Sequence, residues 1–208
     1  MTNDTLDFYE KNAEAYFVQT KDISVDLDSF LAKIPPGGRI LDAGCGSGRD
    51  SRAFVQRGYK VDAIDGSGAL AEFASEYAGI PVKVCRFQDF VGPTYKYDGI
   101  FASASLLHVP PNELPAVLKR LVAALAPKGV LWATFKYGRQ TSVDERHRFF
   151  NNMTPQSVSA VFSKVPLIGD ISCIMESGGS SAGNPTQWVT VCATRRERTR
   201  VDQGNRQQ

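Results

Sequence analysis

The sequence predicts an α/β fold: a seven-stranded, mostly parallel sheet with an antiparallel C-terminal strand pair and helices on both faces. Three observations predict it. Short apolar runs alternate with amphipathic stretches between residues 39 and 135, the alternation expected of parallel βαβ units. Glycine or proline punctuates the junctions, as at Gly58, Gly79 and Pro127, where chain direction must change. The last two apolar runs, 169–175 and 187–194, are joined only by a Gly/Ser-rich loop, so they read as an antiparallel hairpin.

Taken in order, residues 6–18 read as a helix, with Leu6, Tyr9, Ala13, Tyr16 and Phe17 near helical spacing. A second helix over 25–33 is stopped by Pro35-Pro36-Gly37-Gly38. The first strand is 39–43. Its crossover helix begins at Arg49 and ends at Gly58. Residues 59–65 form the second strand, 69–77 a helix, 82–87 the third strand and 97–103 the fourth. Leu114, Val117, Leu118, Leu121 and Leu125 give 112–125 one apolar face, and 130–135 is the fifth strand. Residues 136–152 form a polar insertion, and Thr154-Pro155 opens a last helix.

The stretch Asp42-Ala43-Gly44-Cys45-Gly46-Ser47-Gly48 joins a strand to a helix through alternating glycines. Such a turn brings bare backbone against a ligand and aims free helix N–H groups at it. The spacing is not the Gly-x-Gly-x-x-Gly of a dinucleotide site. Asp42 and Asp50 also add negative charge that suits a cationic or zwitterionic ligand end better than a diphosphate. Asp65 ends the second strand, ahead of Gly66 and seventeen residues after Gly48, near the spacing at which these units set a carboxylate on a ribose diol. An exposed turn Asp is the plainer alternative.

The wording Leu41-Asp42-Ala43-Gly44-Cys45-Gly46-Ser47-Gly48 closely resembles motif I of class I S-adenosylmethionine (SAM) methyltransferases, which share a Rossmann-like fold. The resemblance covers residues 9–194 and implies SAM as cofactor. It implies cofactor-binding roles for Tyr16, Asp42, Ala43, Gly44, Gly46, Gly48, Asp65, Gly66, Gln88, Asp89, Phe90 and Ser103. In these enzymes Asp89 would accept from the adenine amino group, Phe90 would flank the ring, and an N-terminal tyrosine, here Tyr16 ahead of Tyr9, would close over the cofactor. Gly44–Ser51 followed by Gly58–Asp65 is similar to bacterial tellurite-resistance methyltransferases, which implies a tellurium or selenium oxyanion as acceptor. It would place Arg148, with Arg146 or His147, beside that acceptor. His108, one of two histidines, is a candidate general base or an orienting group.

Ser103-Ala104-Ser105 stands where amino-methylating DNA enzymes carry an Asn/Asp-Pro-Pro-aromatic motif, which argues against base N-methylation. The chain of 208 residues carries a net charge of +2. Residues 195–208 hold five Arg against Glu197 and Asp202, so the body is nearly neutral and the basic excess sits in a tail expected to be disordered. One domain over 1–194 is expected, with 1–35 as a helical lid. No Cys-x-x-Cys or His cluster suggests a metal. No long apolar run or leader suggests a membrane or secretion. The expectation is a cytoplasmic monomer or homodimer methylating a small molecule, with nucleic acid disfavoured. An RNA or protein methyltransferase and a non-catalytic SAM-binding regulatory protein are the alternatives.

Overall fold

The computed structural model describes residues 1–22, 27–179 and 183–197. Most of the expected basic tail and the tip of the C-terminal hairpin lie outside the described residues.

Strand β1 (Arg39–Ala43) runs in parallel register beside β2 (Lys60–Asp65), Arg39 opposite Lys60 and Ala43 opposite Ile64. Helix α4 (Arg49–Gln56) makes the crossover between them. Upstream lie α1 (Asn3–Lys11), α2 (Ala13–Thr20) and the short α3 (Asp28–Leu31). Downstream come α5 (Gly68–Ala78), β3 (Val82–Val84), β4 (Tyr97–Ala102), α6 (Leu114–Ala124) and β5 (Leu125–Lys136). A two-stranded ribbon, β6 (Ser142–Val143) with β7 (Phe149–Phe150), precedes α7 (Pro155–Phe162). The hairpin β8 (Ile168–Gly179) and β9 (Pro185–Arg195) closes the fold. The main sheet has the order β3-β2-β1-β4-β5-β9-β8, with β5–β9 and β9–β8 antiparallel. That is the predicted seven-stranded sheet.

Period-two alternation divides the core between the two faces of the sheet. Ile40, Phe101 and Val130 meet Phe30 and Phe54 of α3 and α4 on one side. Leu41, Ile100 and Leu131 meet Leu118 of α6 and Phe162 of α7 on the other. The reversal of strand order at β1 and β4 opens a crevice at their C-terminal ends, where doubly wound sheets bind ligands.

The structure departs from the sequence reading in four places. The expected single N-terminal helix is two, because Asn12 at φ −116° and ψ 20° breaks it. The helix expected over 25–33 shrinks to α3 within its described part. The third strand stops at Val84, and Phe87–Asp89 forms a 3₁₀ turn instead. Arg195, assigned to the tail, is the last residue of β9 and 3% exposed. Its guanidinium donates to the carbonyls of Val122, Ala123 and Leu125 and lies over the Tyr95 ring. It thereby adds a charged donor to the carbonyls at and just past the end of α6.

Gly48 illustrates how tightly the turn is built. Its φ is +76°, and a Cβ there would lie 2.9 Å from the backbone of Ala74 on α5. Both the left-handed conformation and the helix contact demand glycine. Gly48→Ala is therefore expected to cost about 2–4 kcal/mol of stability, combining φ strain with overpacking. A thermal midpoint within a degree or two of wild type would contradict this.

Candidate cofactor and acceptor site

The C-terminal ends of β1, β2 and β4, together with α1 and α2, surround a cavity open to solvent. Tyr9, Tyr16, Gly44, Gly46, Asp50, Asp65, Phe87, Ser103, Ser105 and His108 stand on its wall. Among the predicted residues, Tyr16, Gly44, Gly46, Asp65, Ser103 and His108 thus converge from separate elements.

Gly44 has φ +79°, and a Cβ there would come within 2.5 Å of Ser105 Cβ. Ser105 in turn donates to the Ala43 carbonyl at 2.6 Å, which draws the loop after β4 onto the glycine turn. The Asp65 carboxylate accepts from Gly46 N–H and Ser67 N–H, each at 2.9 Å. Burial raises its pKa, and those two N–H groups oppose the rise. Asp65 therefore fixes the turn's shape and keeps acceptor capacity for a ligand hydroxyl.

Asp42 and Ala43 do not reach the cavity wall. Asp42 is buried beneath the turn and accepts from Ser51 Oγ at 2.6 Å. Burial and the neighbouring Asp50 push its pKa up. Gly48 packs on α5, and a Cβ on Gly66 would meet Leu6 of α1 at 3.4 Å. Phe90 is buried among core residues next to Gly92 and Ala124, and Asp89 is exposed. The 3₁₀ turn rotates Phe87, rather than Phe90, onto the cavity. Gln88 donates to Glu113 at 2.6 Å and leaves its amide oxygen buried without a partner.

Tyr9, which the sequence reading ranked behind Tyr16 as a cofactor lid, was not expected to pair with His108. Its hydroxyl lies 2.9 Å from His108 Nε2, and His108 Nδ1 lies 2.7 Å from the Phe149 carbonyl. A carbonyl only accepts, so Nδ1 carries the proton, Nε2 is bare, and the Tyr9 hydroxyl donates to it. Burial depresses the His108 pKa to about 3 and raises that of Tyr9. The pair is neutral at physiological pH. The only sequence signal for Tyr9 was its spacing to Tyr16, whose ring it meets edge-on at 5.1 Å.

Arg148 does not line the cavity. It is ion-paired to Asp144 at 2.7 Å and lies over the rings of Phe8 and Phe150. It also reaches the Tyr9 hydroxyl. Arg146 and His147 are exposed. Opposite, Glu10 of α1 accepts from Ser67 Oγ at 2.6 Å, so the lid helix is tied to both sides of the crevice. Among the described residues no His/Cys/Asp/Glu group could hold a metal, and no helix is long and apolar enough to cross a membrane. The four cysteines are unpaired.

Comparison with known proteins agrees with this geometry. Residues 40–129 match the family model of a methyltransferase domain. The chain thus holds a segment, from β1 to the start of β5, that is similar to a methyltransferase domain and includes the glycine turn and Asp65. It is 30% identical over 99 residues to a ubiquinone biosynthesis O-methyltransferase of Rhodopseudomonas palustris, covering 46% of this chain and 38% of that one. The chain thus spans less than half the length of that relative. It is 22% identical over 171 residues to an uncharacterized methyltransferase of Staphylococcus carnosus, covering 78% and 82%. Its fold is similar to that of the 1,6-didemethyltoxoflavin-N1-methyltransferase of Burkholderia thailandensis, solved with bound 1,6-didemethyltoxoflavin and S-adenosylhomocysteine (TM-score 0.68, 17% identity, 92% and 88% covered). A SAM-dependent methyltransferase of Methanosarcina mazei is similar too (TM-score 0.71, 16% identity, 82% and 98% covered).

Proposed function

We propose that the protein transfers the methyl group of SAM to a hydroxyl of a small molecule. The observation that carries this reading is the neutral Tyr9–His108 pair, which shares one cavity with the glycine turn and Asp65. The cavity suits the cofactor in its chemistry. Gly44 and Gly46 offer bare backbone, Asp65 a carboxylate for ribose, and Phe87 and Tyr16 aromatic surface. Acidic Asp50 faces the same space.

SAM, when bound, supplies a methyl group already activated by its sulfonium. The protein's own tasks are then to align the acceptor, exclude water and accept one proton. The Tyr9 oxygen takes the proton of the acceptor hydroxyl while the tyrosine proton passes to His108 Nε2. The resulting imidazolium keeps its Nδ1–H on the Phe149 carbonyl. With a pKa of about 3, His108 is too weak a base to ionise a free alcohol. A hydroxyl oxygen becomes strongly acidic as it is alkylated, so even this base suffices if proton transfer accompanies methyl transfer. An alkylated amine stays far less acidic and would gain little from the pair.

An oxyanion acceptor would need unengaged cationic donors at the cavity. Arg148 is instead bound to Asp144 and His108 is neutral, which weighs against tellurite or selenite. The decisive experiment is turnover of labelled SAM over a panel of phenols, enols, aliphatic alcohols, amines, thiols, tellurite, selenite and bulk transfer RNA. Methylation of hydroxyl compounds alone is expected. Turnover confined to tellurite, to selenite or to RNA would overturn the reading. Truncation after Glu197 is expected to leave small-molecule turnover unchanged, whereas truncation at Arg195 would expose the end of α6.

A further inference from the structure

The lid helix makes a second buried contact with the insertion, four residues before Tyr9. Phe149 N–H donates to Thr5 Oγ1 at 2.9 Å, and Thr5 is fully buried. The Thr5 hydroxyl is 2.8 Å from Thr2 Oγ1, which gives its own proton an acceptor. Thr5 and Tyr9, one helical turn apart, lie on the same face of α1. The Phe149 residue that binds Thr5 through its N–H also receives His108 Nδ1–H through its carbonyl, the two groups lying in adjacent peptide planes joined at the Phe149 Cα. Hydrogen bonds and backbone together form a closed ring: Tyr9 hydroxyl, His108 imidazole, Phe149 backbone, Thr5 hydroxyl and the turn of α1 back to Tyr9.

We infer that Thr5 is a positioning residue, which sets the protonated nitrogen of His108 by holding the Phe149 backbone so that its carbonyl faces Nδ1. The physical reason lies in the donor count. Phe149 N–H can only donate, and within this ring its acceptor is Thr5 Oγ1. Without that acceptor the half-buried N–H loses its partner, a cost that the segment relieves by shifting Phe149 off Thr5. Because the carbonyl hangs on the same Cα, that shift withdraws it from Nδ1, and the proton is then free to sit on Nε2. His108 would in that state offer Tyr9 a donor instead of an acceptor, and the proton path would be reversed. The lid and the polar insertion thus act as one unit at the acceptor end of the cavity.

For turnover the inference rests on the Tyr9–His108 role proposed above; the tautomer itself is read in the ligand-free full chain. Nitrogen-15 spectra of selectively labelled histidine suit this, because only His108 and His147 contribute. Wild type is expected to show His108 in one neutral tautomer protonated at Nδ1. Thr5→Val, which keeps shape and removes the acceptor, is expected to shift His108 toward Nε2 protonation. Its kcat should fall about tenfold or more, with KM for SAM within about threefold. Thr5→Ser should restore both. A Thr5→Val spectrum still showing Nδ1 protonation alone would overturn the inference. If Thr5→Val does not fold, amide exchange decides on wild type alone. A Phe149 amide exchanging as fast as an exposed one means the bond to Thr5 is absent and the inference fails.

Discussion

Replacing Asp65 by alanine is expected to weaken S-adenosylhomocysteine binding at least a hundredfold, about 3 kcal/mol, measured by calorimetry. The carboxylate has two tasks that fail together. It would accept the ribose hydroxyls, a charge-assisted contact of about 1.5–3 kcal/mol. It also accepts Gly46 N–H and Ser67 N–H, so its removal frees the peptide on which the ligand's other end would rest. Asp65→Asn should lie closer to alanine than to wild type. An amide has one acceptor oxygen and turns an NH₂ toward an N–H that needs an acceptor. Asp89→Ala is the control, since Asp89 is exposed; its loss should change affinity by less than about threefold, a surface-sized effect. Wild-type affinity in Asp65→Ala would refute the ribose assignment. Melting the ligand-free variants separates the scaffold task from the binding task.

The contrast between Asp65 and Asp89 shows what the sequence could and could not carry. The unit β1–α4–β2 was legible almost to the residue because its boundaries are set locally. Gly44, Gly48 and Gly58 all adopt positive φ, and few other residues allow that. Asp65 was legible as a strand-end carboxylate on the cavity because its spacing follows from the length of a βαβ unit. The next strand end was not. A strand that stops at Val84 rather than Phe87 turns a different ring to the cavity, and strand ends are set by pairing that no local propensity reports. Tyr9 was ranked only as a second-choice lid for a related reason. Its meaning comes from His108, ninety-nine residues away, and an amphipathic helix reads the same whether its tyrosine meets a core or a catalytic base. Arg148 shows the reverse error. A basic residue in a polar insertion looked like an acceptor ligand, but Asp144, four residues earlier, had already claimed its charge.

The largest effect on turnover is expected at His108. Changing His108 to alanine removes the only bare nitrogen that takes the Tyr9 proton, and kcat should fall roughly 10²–10⁴-fold, the range of a lost general base. Affinity for S-adenosylhomocysteine should stay within about fivefold, because the cofactor-facing turn and Asp65 lie on other strands. Tyr9→Phe should cost less, about 10–100-fold, since water can bridge to Nε2 in place of the hydroxyl. Equal kcat in wild type and His108→Ala would remove the imidazole from the chemistry and leave positioning alone to account for catalysis. The same burial gives a pH signature that needs no substrate. The folded pKa of about 3 lies below the unfolded value of about 6.5, so the native state binds fewer protons between those limits. Stability from this group is complete above about pH 6.5 and is lost as pH falls toward 3. His108→Gln cannot titrate, so its unfolding free energy should fall less steeply over that interval. A variant whose acid slope matches wild type would show that solvent reaches the imidazole, and the closed Tyr9–His108 geometry could not then be the resting state of the site.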